Sequence, residues 1–467
     1  MSETRVSAAA WLALAVGLVW LVGAGSRGFG SLLLALVPGL LLATGGGSLV
    51  LLRGETRANQ LVALGGAVGV PLAAMLLLVS SFWLGLFLVF ASAGLFAAAG
   101  WVSLMREPAV AGVLEPVPSL GLACKVAMDE AVLATRSLVS DTVGPGDRVR
   151  LSDEARDARR YFDQRGWLDK PSGYYVDPPV LEAPELRRRR TRGAAFLELS
   201  FESGYEPYAE EPGRERWLSY AANRVAYAWV LEHPDGPRPW LVCVHGFRMG
   251  SPLVDLAAFR AAELHRRLGL NLVLPVLPLH GPRKIGRRSG GRFLAGDLMD
   301  TVHAEAQAIW DLRRVLSWVR GRGAIGVGAF GLSLGGYTVA LLAGLEEHLS
   351  CVIAGIPAAD FARLGPSMDG GPAGLPGGSV SDAEAVLRVV SPLAFAPRVP
   401  LARRFVFGGT VDRLVPPDQV RDLWEHWERP RICWFAGSHM SYRFEAGVRE
   451  LIEEALRERG LGSNPRV

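Results

Sequence analysis

The chain has 467 residues, half of them hydrophobic and 21% charged, with 50 basic against 46 acidic side chains and a net charge of +4. This composition excludes a disordered or fibrous protein, and the length suits two to three domains. Cys124, Cys243, Cys351 and Cys433 lie far apart with no CxxC, which excludes a disulfide scaffold and a zinc ribbon; three of them sit in apolar runs, as reduced thiols do. The only lysines are Lys125, Lys170 and Lys284, so the basic excess reads as a compositional preference for arginine and makes no case for nucleic acid.

Between Ala8 and Leu104 only Arg27, Arg53, Glu55 and Arg57 are charged. A bilayer core about 30 Å thick is crossed by roughly 20 apolar helical residues. Ala8–Ala24 supplies one such stretch and Ser31–Leu52 a second. Leu61–Leu104 is long enough for two more, joined by a turn near Ser80, Ser81 and Gly85. Residues 1–105 therefore read as an all-α region of four transmembrane helices, with Gly, Ala and Ser suited to close packing and Trp20, Trp83 and Trp101 as interfacial anchors. Arg5, an apolar run and then Gly23, Ala24 and Gly25 also resemble a cleaved signal peptide, but further spans follow at once. With four spans, Arg5, Arg53, Arg57 and Arg106 share one side and Arg27 takes the other. The positive-inside rule then puts the C-terminal part in the cytoplasm, on an inner membrane of bacterial type. No charge lies within a span, so an ion pathway has little support.

Residues 106–194 read as a linker and pre-domain segment. Arg106–Gly121 is rich in Pro and Gly, Cys124–Leu138 has helical apolar spacing, and Asp153–Arg165 is a polar helix with opposite charges at helical separations. Pro171–Pro184 reads as extended. The arginine run Arg187–Arg190, with Arg192, is either a lipid-facing patch or a solvated stretch before a strand, and the second reading is favoured.

From residue 195 onward strands and helices alternate. Strands are expected at Phe196–Phe201, Val225–Leu231, Trp240–Val244, Asn271–Leu277, Ile325–Phe330, Cys351–Gly355, Arg404–Phe407 and Ile432–Phe435. Helices are expected at Leu256–Leu268, Ala304–Val319, Tyr337–Leu345 and Ala446–Arg457. Such alternation builds an α/β domain around a mostly parallel sheet.

Gly331-Leu332-Ser333-Leu334-Gly335 matches G-x-S-x-G between a strand and a helix, the setting of a nucleophile elbow. The tight turn lifts Ser333 Oγ out of the sheet, and Gly331, Gly335 and Gly336 keep side chains away from it. A serine hydroxyl needs a base. Among eight histidines, His439 in Gly437-Ser438-His439, just after the last strand, is best placed. The base needs an acid: Asp412 ends Gly408-Gly409-Thr410-Val411-Asp412 directly after a strand, and Asp360 competes from a helix-like segment. Asp412 is favoured, because Asp360 is placed to cap or flank that helix. A tetrahedral oxyanion needs two donors: the N–H of Leu334, and the N–H of Phe247 in His245-Gly246-Phe247. Gly246 lets the backbone approach, and His245 reads as structural.

The segments HGF, PLHGPR, GLSLGG, GGTVD and GSH, in this order, resemble the α/β-hydrolase superfamily, in the style of its esterase-like and prolyl-oligopeptidase-like members. The resemblance spans Phe196 to Leu456 and implies a catalytic domain over residues 195–467. It implies an eight-stranded sheet with helices on both faces and hydrolysis through an acyl-enzyme, with no cofactor and no metal. Many members carry a lid after the sixth strand. Ala358–Pro397 takes that place here, and its Gly and Pro between Gly365 and Gly378 imply a short, mobile cap. The apolar N-terminal region has no counterpart in typical members.

His280, Gly281, Pro282, Arg283 and Lys284 open a basic loop that runs through Arg287, Arg288 and Arg292. His280, Arg283 and Lys284 are thus candidates for a rim that attracts anionic substrates or lipid headgroups, beside the alternative of a plain solvated loop, and for His280 a structural role is favoured over lining the pocket. The expectation is a membrane-anchored serine hydrolase of carboxylic esters, its partners the bilayer and a small-molecule or lipid ester. A serine peptidase or acyltransferase on the same scaffold is the first alternative. A catalytically idle binding module is the second, and the intact Ser333, Asp412 and His439 set argues against it.

Overall fold

A computed structural model describes residues 3–52, 55–137, 145–192, 194–294, 297–364, 377–457 and 461. The chain divides into two compact units, Met1–Asp141 with Gly409–Pro417 and Trp434–Glu445, and Thr142–Gly408 with Asp418–Cys433 and Ala446–Val467. Two loops from the C-terminal half therefore belong with the N-terminal region.

The smaller unit is built on α1 (Glu3–Leu18), α2 (Phe29–Leu51), α3 (Thr56–Val79) and α4 (Phe82–Leu104). A π turn at Val19–Ala24 and a 3-10 turn at Gly25–Arg27 prolong α1, so the first apolar span is Ala8–Arg27. The four spans have 20 to 24 residues and mean hydropathies of 1.9 to 2.3, and among the described residues they are the helices long and apolar enough to cross a membrane. The break between the third and fourth falls at Ser80 and Ser81. Small residues line the seams: a Cβ at Gly17 would run into the backbone of Ala43, and one at Gly46 into the backbone of Leu14. Trp20 is fully buried in this seam and donates Nε1–H to Ser92 Oγ at 3.3 Å, so it is a core residue and not an interfacial anchor. After the linker, α5 (Leu120–Ser137) packs on α3 and α4; a Cβ at Gly100 would collide with the carbonyl of Ala123.

The larger unit carries the sheet. Its strands are β1 (Glu185–Thr191), β2 (Ala194–Glu202), β3 (Val225–Leu231), β4 (Trp240–Val244), β5 (Asn271–Pro275), β6 (Val327–Leu332), β7 (Cys351–Gly355), β8 (Arg404–Gly409) and β9 (Arg431–Phe435). Among the described residues they form one nine-stranded sheet in the order β1-β2-β3-β5-β4-β6-β7-β8-β9. The pairs from β1 to β5 at the β3 edge are antiparallel, and β5-β4-β6-β7-β8 are parallel. β4 to β8 are buried along their whole lengths, as a parallel sheet covered on both faces requires. The helices are α6 (Pro145–Gln164), α7 (Arg214–Leu218), α8 (Pro252–Ala258), α9 (Ala261–Arg266), α10 (Leu298–Gly321), α11 (Leu334–Ala343), α12 (Phe361–Leu364), α13 (Gly377–Leu387), α14 (Pro417–His426) and α15 (Ala446–Arg457). The crossover order of β2–β9 and the elbow after β6 make this the α/β-hydrolase fold.

Three expectations change. The sheet has nine strands rather than eight, because the arginine run is itself the edge strand β1 and does not merely precede one. Its side chains are exposed, Arg189 pairs with Glu198 across the ladder at 3.1 Å, and a charged edge of this kind resists pairing with other chains. The helix expected at Leu256–Leu268 is two helices, parted where Arg260 takes a left-handed φ of +51°. In the expected cap, α12 and α13 are helical, and the Gly- and Pro-rich residues 365–376 lie outside the described residues.

Candidate active site

Between the end of β6 and the start of α11, Ser333 stands alone with φ +56° and ψ −113°, a strained conformation for a residue with a side chain. The elbow demands its glycines. A Cβ at Gly331 would strike the Gly335 carbonyl, one at Gly335 would strike the Val244 carbonyl, and one at Gly336 would lie 2.9 Å from Pro357 Cβ. Ser333 N–H donates to the Gly355 carbonyl on β7 at 2.8 Å, which pins the turn to the neighbouring strand. Around it the sheet is buried, yet Ser333 remains half-exposed.

The loop after β4 runs beside the serine. A Cβ placed on Gly246 would sit 3.3 Å from the Leu332 carbonyl oxygen and 3.5 Å from Ser333 Cβ. This proximity brings the main chain at Gly246 and Phe247 to the same edge as Leu334. His245 is buried beneath the loop. Its Nε2 accepts the N–H of Leu277 at 3.1 Å and its Nδ1–H donates to the Gly246 carbonyl at 2.8 Å, so both ring nitrogens serve the backbone. Burial lowers its pKa and keeps it neutral.

Asp412 lies in the loop after β8, fully buried. One carboxylate oxygen accepts the N–H groups of Leu414 at 2.9 Å and Val415 at 2.8 Å. The other accepts from His439 Nδ1 at 2.6 Å. His439 opens a 3-10 turn, His439–Phe444, after β9. Burial alone would lower its pKa, but the Asp412 charge, the hydrogen bond to it and the charge of Asp129 raise it above the ordinary histidine value. With Nδ1 engaged, Nε2 is the nitrogen that can meet a hydroxyl. The competing acid, Asp360, accepts the Ala362 N–H at 2.9 Å as the cap of α12 and pairs with Arg363 at 3.1 Å.

Sequence reasoning missed Asp129. This buried α5 carboxylate accepts the N–H of Arg413 at 3.0 Å, of His439 at 2.9 Å and of Met440 at 3.0 Å. Burial and then the Asp412 charge push its pKa up to about 7, against the pull of His439 and the backbone donors. Its neighbour Glu130 is equally buried and receives Arg413 Nε at 3.0 Å, and Arg413 also pairs with Glu107. Two adjacent acids inside an otherwise apolar helical pattern were the available signal. Acceptance from backbone amides leaves no mark on the sequence of the loops.

Ser333, Leu334 and Gly246 thus come together in the larger unit, and Asp412, His439 and Asp129 come together in the smaller one. The expected basic rim needs correction. Arg283 is fully buried, paired with Asp311 at 2.9 Å and donating to the carbonyls of Val276 and Asn223, so it braces the core instead of meeting solvent. His280 is buried as well, its Nδ1 on the Pro278 carbonyl at 2.8 Å. Of the three, Lys284 is the exposed one. Among the described residues no His, Cys, Asp and Glu side chains cluster as metal ligands.

No family model matches the chain. Two curated relatives from Mycobacterium tuberculosis do. Uncharacterized protein MT2702 is 43% identical over 388 residues, which covers 81% of this chain and 92% of the relative. Uncharacterized protein Rv2627c is 42% identical over the same length and with the same coverage. Solved structures similar to the chain include an acetyl xylan esterase from Thermoanaerobacterium sp. JW/SL YS485, with a TM-score of 0.46 and 15% identity over 64% of this chain and 93% of that one. An acetyl xylan esterase from Paenibacillus sp. R4 gives 0.42 and 16% over 66% and 95%. The acylaminoacyl peptidase of Pyrococcus horikoshii gives 0.38 and 14% over 61% and 43%.

Proposed function

We propose that the chain, which belongs to the family of the Mycobacterium tuberculosis proteins MT2702 and Rv2627c, is a membrane-anchored serine hydrolase that cleaves carboxylic esters. The observation that carries this reading is the buried 2.6 Å contact of Asp412 with His439 Nδ1, on the loops that follow β8 and β9 of a sheet whose β6 ends in a strained serine elbow. In this reading Ser333 is the nucleophile, His439 the base and Asp412 the group that fixes the tautomer of the ring.

As Ser333 Oγ attacks the ester carbonyl carbon, His439 Nε2 takes its proton. The carbonyl oxygen becomes an oxyanion, held by the N–H groups of Leu334 and Phe247; each such donor is worth about 10²–10³ in kcat. Collapse of the tetrahedral species breaks the bond to the alcohol, which leaves with the proton from His439. Water then gives its proton to Nε2, attacks the acyl-enzyme, and releases the acid and a restored Ser333. Asp412 stabilises the imidazolium in both halves. The apolar spans anchor the enzyme, with the sheet domain on the cytoplasmic side.

The test is labelling with a fluorophosphonate. Wild-type protein should be labelled and Ser333→Ala should not; equal labelling of the two discards the assignment. Asp412→Asn should lower kcat on p-nitrophenyl esters by about 10⁴, the loss seen when a triad acid becomes an amide. Aminoacyl amides assayed in parallel distinguish a peptidase.

A further inference from the structure

We propose that Asp129 is a positioning residue of this active site: its carboxylate, supplied by α5 of the N-terminal region, clamps the Asp412 loop to the His439 loop and sets the orientation of the His439 ring. The inference rests on the hydrolase reading above and adds to it a functional part for the N-terminal region beyond anchoring.

The geometry is that of a staple. Three backbone donors from two loops converge on one buried carboxylate: the part-buried N–H of Arg413, the neighbour of Asp412, the buried N–H of His439 and the part-buried N–H of Met440. An aspartate offers two oxygens to such a set, whereas an asparagine offers one and turns an NH₂ toward a donor. Leaving the buried His439 N–H without a partner is costly, and the other two donors add to it, so the loops take up the arrangement that the carboxylate dictates. One turn earlier on the same helix face, Lys125 ties down the same histidine loop. Its Nζ donates to the Ala436 carbonyl at 2.9 Å and pairs with Glu445 at 2.6 Å, and its own carbonyl accepts the Ser438 hydroxyl at 2.7 Å. Leu122 and Val126 of that face pack with Leu104 and Val411, the residue before Asp412. On the adjacent face the Glu130 carboxylate holds the Arg413 side chain.

The charge has its own consequence. The groups that act on the His439 ring are Asp412 and Asp129, both favouring the protonated form, and Arg136 of α5, which opposes it. The Arg413 guanidinium is taken up by Glu130 and Glu107, and Lys125 by Glu445. Removing the Asp129 charge therefore lowers the pKa of the base. A base must be deprotonated to act, so the acid limb of kcat/KM moves to lower pH. A residue that only held the fold together would not move that limb.

The experiment uses the full-length protein in detergent micelles, with p-nitrophenyl esters and the fluorophosphonate as probes. Asp129→Asn should fold, lose about tenfold or more in kcat with little change in KM, and show an acid limb displaced to lower pH. Wild-type kcat, or a reduced kcat with an unmoved limb, overturns the proposal. If Asp129→Asn does not fold, Asp129→Glu decides: a reduced kcat with the limb in place supports it, and a wild-type kcat overturns it. The labels keep the two readings apart. Labelling that is lost in Ser333→Ala while Asp129→Asn behaves as wild type sinks this inference alone; unlabelled wild-type protein sinks the hydrolase reading and this inference with it.

Discussion

In the α1–α4 bundle glycine and alanine line the interior at Gly17, Gly46, Ala13, Ala35 and Ala63, beside the buried Trp20 and Leu88, while Phe90 and Trp83 point outward, 69% and 78% exposed. In the sheet domain the large side chains are inside, with Trp240, Phe330, Phe405 and Phe407 all but fully buried, and the outermost strand shows arginine to solvent. The contrast reflects two solvents. In water the gain comes from removing apolar area, about 25 cal/mol per Å², so bulk goes to the middle. Hydrocarbon gives no such gain, so helices associate by close approach of their backbones, and large side chains face the lipid. Within one chain aromatic rings thus face outward on much of the bundle, Trp20 excepted, and inward in the sheet domain.

Three substitutions sharpen or break this comparison. Phe407→Ala empties a site on β8 where the ring lies against Gly355, and should cost the sheet domain about 3–5 kcal/mol, read from denaturant unfolding. A loss below 1 kcal/mol would mean that the sheet interior is not packed as described. Phe90→Arg, near the middle of α4, should cost about 2.5–3.5 kcal/mol if that face meets lipid, read as the fraction inserted into membranes. An unchanged inserted fraction would break the contrast, because an exposed arginine is harmless in water. Arg188→Ala on the exposed edge strand β1 should change stability by no more than about 0.5 kcal/mol in the same unfolding assay.

What the sequence showed depended on how each feature is encoded. The buried strands Trp240–Val244 and Cys351–Gly355 and the helix Ala446–Arg457 have their observed limits because continuous apolar runs and helical spacing mark them directly. β1 was hidden, since four arginines carry neither alternation nor β-propensity, and its pairing with β2 is what makes it a strand. The break at Arg260 has no Gly or Pro to announce it. The serine elbow and the Asp412–His439 pair were legible as motifs after strands. The burial of Arg283 was not, because it depends on Asp311, far along the chain, to balance the charge. Asp129 was invisible for a related reason: its partners are main-chain amides, which every residue type possesses.

The grouping of the loops at Gly409–Pro417 and Trp434–Glu445 with the first 141 residues bears on how the protein is prepared. Trimming the gene ahead of residue 142, the obvious route to a freely dissolving sample, discards the aspartate to which the His439 amide is tethered. Such a fragment keeps the sheet, the bent serine and the histidine itself, and lacks the carboxylate that accepts the His439 and Met440 amides. Under the proposed hydrolase reading, low turnover from it would therefore report the missing helix and not an inert fold.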